Sequence, residues 1–90
     1  MSFYLKDPQS RVECPMAWDA GLLGAAAIVG SGWTAEPAGL TIEDAGVGGA
    51  VTRVTISGGQ AGMVYRLANR VTLSDGRSDV RSILIRVEPR

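Results

Sequence analysis

The sequence predicts an all-β chain folded as a small antiparallel sandwich, and three observations carry that prediction. Twelve glycines and β-branched residues throughout favour turns and strands. No long stretch combines Glu, Lys and Leu at helical spacing. Short apolar alternations recur between Gly-rich turns, the rhythm of an immunoglobulin-like β-sandwich of about six or seven strands, with a small barrel as the second architecture. Ninety residues make a single domain near the lower size at which one core suffices. The expected division is an N-terminal arm over residues 1–10 and one β-sandwich domain over residues 11–90.

Met1 to Gln9 is polar and proline-bearing, yet Phe3, Tyr4 and Leu5 are apolar for a free tail. Two readings stand: an arm whose exposed aromatics find a pocket on another chain, or side chains packed on the domain's own edge. Arg11 to Cys14 reads as a first short strand ended by Pro15, and Trp18 and Leu22 as core plugs under a connection. Ala25 to Trp33 mixes helix-favouring alanines with bracketing glycines and the strand-favouring Ile28-Val29. It is assigned as strand from about Ala26 to Thr34. Pro37-Ala38-Gly39 marks a turn, and Leu40 to Glu43 alternates as a further strand. Asp44 to Gly49 holds three glycines without the spacing or following helix of a phosphate loop, so it reads as a flexible connection. Val51 to Ser57 is a strand with Thr52, Val54 and Ile56 on one side.

The stretch from Met63 to Val87 is the clearest element, a long hairpin turning at Asp75-Gly76. Met63, Tyr65, Leu67, Val71 and Leu73 share one parity, with Arg66, Arg70 and Thr72 on the other. Asn69 is a polar intruder on the apolar side. On the return, Ile83, Ile85 and Val87 share a parity that Leu84 breaks. A two-residue turn would set Tyr65 against Arg86 and send Ile83 and Ile85 outwards. A three-residue loop Ser74-Asp75-Gly76, with Gly76 at the left-handed bulge position, instead sets Leu67 against Ile83, Tyr65 against Ile85 and Met63 against Val87. The second register is preferred because each buried aliphatic side chain contributes roughly 1.5–3 kcal/mol. Tyr65, three residues after Gly62, is placed either as a tyrosine corner bonding nearby backbone or as an ordinary core tyrosine.

Chemistry is sparse. The chain has no histidine and one cysteine, Cys14, so neither an internal disulfide nor a zinc, haem or iron–sulfur site is expected. Cys14 is read as a buried structural thiol and its context as intracellular. Ser57 has no evident activating base, and Glu43-Asp44, as neighbours on a strand, should point to opposite faces. No catalytic, cofactor-binding or metal residues are therefore expected, and the chain is not read as an enzyme. Nothing at the N-terminus reads as a signal peptide, and the apolar run from Gly21 to Gly30 is too short to span a bilayer. Net charge is zero, which argues against generic nucleic-acid binding, but residues 1–45 hold six acids and two bases while residues 46–90 hold three acids and seven arginines. Arg66 and Arg70, on the outward parity of the hairpin, are candidates to meet an acidic partner. The candidate interaction residues are Phe3, Tyr4, Leu5, Arg66 and Arg70.

The order of several segments resembles that of a known family. Lys6-Asp7-Pro8, Trp18-Asp19, Gly32-Trp33-Thr34, Gly39-Leu40-Thr41, Ser57-Gly58-Gly59-Gln60-Ala61-Gly62, Tyr65-Arg66-Leu67 and Asp75-Gly76-Arg77 followed by Ser82-Ile83 resemble small tailed-bacteriophage virion proteins of the fiber–tail adaptor or head–tail-region type. The resemblance covers nearly the whole chain, and its most specific piece is the SGGxAG turn before Tyr65. It implies an immunoglobulin-like structural or adaptor module in a phage or prophage particle, made in the host cytoplasm and assembled into the virion. Its expected partners are other virion proteins (portal, tail or fiber), with self-association as a further expectation and neither nucleic acid nor membrane bound. A carbohydrate- or receptor-binding module using Trp33 or Trp18 as a stacking platform is the alternative.

Overall fold

A computed structural model describes residues 3–18 and 23–89, with Phe3 described by its backbone. Seven strands form two sheets: β1 (Phe3–Lys6), β2 (Val12–Ala17), β3 (Ile28–Glu36), β4 (Leu40–Gly48), β5 (Val51–Gly58), β6 (Val64–Leu73) and β7 (Ser78–Val87). One sheet has the order β1-β7-β6-β3 and the other β2-β5-β4. Every pairing is antiparallel except that of β1 with β7. The runs β7-β6-β3 and β2-β5-β4 follow the order of the G-F-C and B-E-D strands of an immunoglobulin-type sandwich. β1 joins β7, on the sheet that does not contain β2.

The hairpin adopts the register that buries its apolar parity. Leu67 lies opposite Ile83 and Tyr65 opposite Ile85, and Val87 donates its N–H to the Met63 carbonyl at 3.0 Å. Leu73 closes the three-residue loop by bonding Arg77, and Gly76 takes φ +92°, a conformation that costs a side-chain-bearing residue about 1–2 kcal/mol. Between the sheets lie Cys14, Met16, Val54, Ile56, Leu67, Val71 and Ile85. Burial pushes the Cys14 thiol above its ordinary value. Trp18 is 3% exposed and joins this core, while Leu22 lies outside the described residues.

Several boundaries differ from the sequence reading. β2 runs through Pro15 to Ala17, because β2 is an edge strand that needs no bond from the proline on its free side. β3 starts and ends two residues later than expected, at Ile28 and Glu36. β4 continues through the glycines to Gly48, so the expected connection of residues 44–49 is mostly strand. The strand survives because its surplus length is absorbed in a bulge: Asp44 takes φ +53° and the register shifts between Glu43 and Gly46. Phe3-Tyr4-Leu5, within the expected arm, runs as a strand along the domain's own sheet edge.

Two polar joints fix the sandwich. Tyr65 is a tyrosine corner, its Oη accepting the Gln60 N–H at 2.9 Å. The glycine turn must close tightly here: a Cβ on Gly59 would stand 2.9 Å from Val87 Cγ2 and 3.1 Å from Leu40 Cδ2. Asn69 makes the second joint midway along β6, fully buried. Its Oδ1 accepts from Thr52 Oγ1 at 2.6 Å and from Trp18 Nε1 at 3.2 Å, both belonging to the opposite sheet's side. Its Nδ2 donates to Ser31 Oγ at 2.8 Å and to the Gly32 carbonyl at 2.9 Å on β3. The polar intruder of the sequence is therefore the point at which the two sheets are tied.

Candidate interaction face

Side chains of a strand alternate between faces, so the register that buries Tyr65, Leu67 and Val71 must present the intervening residues of β6 to solvent. Arg66 and Arg70 stand there, separated by the half-buried Ala68. Across the hairpin, Leu84 lies opposite Arg66 and Val80 opposite Arg70. On β3, Glu36 and Gly32 occupy the matching positions. β1 extends the same face, with Leu5 beside Arg86.

The result is an aliphatic surface set with arginines. Leu5, Val64 and Val80, each between 44% and 52% exposed, all lie on it. Arg86 is engaged locally, its Nε 2.6 Å from Glu88 Oε1. Among the described residues Arg66 and Arg70 make neither an ion pair nor a side-chain hydrogen bond. A groove of about 330 Å³ crosses the β3 side of this face, lined by Gly32, Trp33, Thr34, Ala68, Arg70 and Val80.

The outer face of the second sheet pairs Arg11, Glu43 and Asp44 with one another, while Glu13 and Arg53 are exposed on it. Arg11 reaches Glu43 Oε1 with Nε at 3.0 Å and Asp44 Oδ2 with Nη2 at 2.6 Å. Both carboxylates meet one arginine because the bulge turns Asp44 out of strand alternation, so the expectation that they diverge fails. The hydrogen bond from Arg11, followed by its charge, holds Glu43 below its ordinary value, and Ser57 Oγ also donates to it at 3.3 Å. A carboxylate so committed is a poor proton acceptor for Ser57. Among the described residues no three His, Cys, Asp or Glu side chains converge as metal ligands.

The structure brings Leu5, Arg66 and Arg70 of the sequence candidates onto one face. Tyr4, opposite Ile85, is half-buried against the core, and the Phe3 backbone lies opposite Leu84. Val64, Val80, Leu84 and Gly32 complete the face and were missed as candidates. Their signal was present in Leu84, whose break in the apolar parity marks an aliphatic side chain turned outwards. Trp18 is buried with the Arg81 guanidinium 5.6 Å from its ring centroid, and Trp33 is half-buried against the core and borders the groove. The Lys6 side chain is 1% exposed and ties β1 down through Nζ, which donates to the Gly58 carbonyl at 2.6 Å and the Asp7 carbonyl at 2.8 Å. Burial pushes its ammonium below the ordinary value.

A family model described as podophage GP4 fiber-tail adaptor protein gp77 matches residues 6–86. No curated protein matches the chain.

Proposed function

The chain belongs to the podophage GP4 fiber-tail adaptor protein gp77 family, and we propose that it acts in the virion by presenting the outer face of sheet β1-β7-β6-β3 to neighbouring tail or fiber proteins. The observation that carries this reading is the pair Arg66 and Arg70, unpaired on a face that also exposes Leu5, Val64 and Val80. Aliphatic side chains supply area removed from water, and arginine forks supply orientation by gripping carboxylates. A surface built this way selects an acidic, partly apolar partner.

The work is done by binding alone, without a reaction or a cofactor. In support, Glu43, the carboxylate that accepts from Ser57, is tied to Arg11, and the thiol of Cys14 is buried and held protonated. The chain is made in the host cytoplasm and reaches the particle by assembly.

Complementation of a phage lacking this gene tests the reading. Gradient-purified particles should contain the wild-type chain by mass spectrometry and lack the double variant Arg66→Glu/Arg70→Glu, which should fold with an unchanged circular dichroism spectrum. Incorporation of the double variant at wild-type level overturns the assignment of this face. Absence of the wild-type chain from particles overturns the virion role.

A further inference from the structure

The described residues leave four strand edges free, those of β1 and β3 in one sheet and of β2 and β4 in the other. An open edge is a template for another strand, and folded proteins blunt it with short strands, prolines, bulges or charges. Three of the four are blunted in these ways. β1 has four residues, β2 carries Pro15, and β4 is bent by the bulge at Asp44. β3 is blunted only at its two ends, by a bulge between Ile28 and Gly30 and by the charge of Glu36. From Gly30 to Ala35 it pairs residue for residue with β6, and the stretch Gly30-Ser31-Gly32-Trp33-Thr34-Ala35 contains no proline and no charge.

The same edge adjoins the arginine groove. Arg70 lies opposite Gly32, so no side chain stands between its guanidinium and the open edge on the outer face. A strand added to β3 would run two strand spacings, about 10 Å, from β6. An arginine and a glutamate extended from the two sides span that gap over the glycine. The Asn69 bonds to Ser31 and Gly32 hold this part of β3 in place before any partner arrives.

We propose that the β3 edge, from Gly30 to Ala35, accepts an extended acidic segment of a neighbouring virion protein as an additional strand, with a carboxylate of that segment over Gly32 bound by Arg70. The partner's being a virion protein rests on the function proposed above, whereas the mode of recognition rests on the edge and the charge. Backbone bonds along β3 supply affinity, and the Arg70 contact supplies selection by sign. A second copy is the competing occupant, since an antiparallel β3 pair centred on Thr34 would set its Glu36 opposite Gly32, and protection of β3 without peptide is the outcome that identifies it.

Peptides of about nine residues that alternate valine with glutamate and threonine, or valine with lysine and threonine, are the probes. The isotope-labelled full chain is titrated with each, and amide hydrogen exchange and the Trp33 indole N–H resonance are followed by NMR. The acidic peptide should protect β3 amides that do not bond β6 and shift the Trp33 signal, with the lysine peptide at least tenfold weaker. Arg70→Glu, a substitution on an exposed side chain, should reverse that preference. Protection at β1, β2 or β4 instead, no protection anywhere, or an unchanged preference in Arg70→Glu overturns the proposal. Concentration-dependent protection of β3 without peptide also overturns it, in favour of self-pairing. A chain that enters particles yet shows no peptide protection at β3 defeats this inference alone, while absence from particles defeats the virion role and leaves the edge chemistry measurable.

Discussion

The hairpins β6–β7 and β4–β5 use strands of similar length, yet one keeps step from end to end and the other breaks step at Asp44. Each also holds a polar joint. In β6 it is Asn69, enclosed between the sheets and bonded to β5, to Trp18 and to β3. In β4 it is Glu43 with Asp44, gripped by Arg11 in solvent. The regular hairpin ties Asn69 inside and keeps Arg66 and Arg70 free on its outer face. The bulged hairpin commits Glu43 and Asp44 to Arg11, and Arg53 is the charge it leaves exposed on that face.

Removing the enclosed joint is the harshest test of this contrast. Asn69→Ala takes their shared acceptor from the buried Trp18 Nε1 and Thr52 hydroxyl, leaving Trp18 with Thr52 Oγ1 at 3.2 Å and Thr52 with the Met16 carbonyl at 3.4 Å, and releases Ser31 and Gly32. The lost buried bonds and the vacated volume together cost about 2–4 kcal/mol. Urea denaturation should show a midpoint lowered by roughly 2–4 M, taking a slope near 1 kcal/mol/M for a chain of this size. Thr52→Val, which keeps the volume and leaves Asn69 its bonds to Trp18 and β3, should cost roughly half as much. If Asn69→Ala were no worse than loss of the exposed Arg11 pair, the two joints would be equivalent and the contrast would fall.

The turn of the regular hairpin offers a milder test. Gly76→Val forces a β-branched residue to φ +92° with nothing else within 4 Å of the added carbon, so the cost is backbone strain, about 1–2 kcal/mol. Asp75→Ala removes the bonds from the Arg77 backbone and side chain to an exposed carboxylate and should destabilise less. Equal effects would mean that the loop conformation does not set the register.

How far the sequence could be read follows the same division. β6 and β7 were legible, down to the pairing of Leu67 with Ile83, because unbroken alternation and one glycine at a loop leave a single register that buries both apolar sets. β4 was not legible past Glu43, because glycines that end a strand and glycines that line a bulge look alike until the partner strand is known. Asn69 could be seen as anomalous but not explained, since its partners Trp18, Ser31 and Thr52 are remote in sequence. Among the face residues, Arg66 and Arg70 followed from parity alone. Val80 and Gly32 did not, because their place beside Arg70 depends on cross-strand register, and the open edge of β3 emerges only when the strand order is known.

The exposed joint should reveal itself by its pH dependence. Glu43 titrates below its ordinary value of 4.5 in the folded chain, first through the hydrogen bond from Arg11 and then through its charge. A carboxylate depressed on folding binds fewer protons than in the unfolded chain across that window, so its contribution is complete above about pH 4.5 and is lost as pH falls through the folded value. Arg11→Gln should therefore lower the urea midpoint slightly at pH 7, by the smallest amount of the three tests. The difference from wild type should shrink on acidification below pH 4.5 and in about 0.5 M salt, where exposed pairs are screened. Asn69→Ala, whose broken bonds involve no titrating group, should keep its deficit across the same range. A deficit of Arg11→Gln that persisted through acid and salt would mean that Arg11 holds β4 by packing instead of charge.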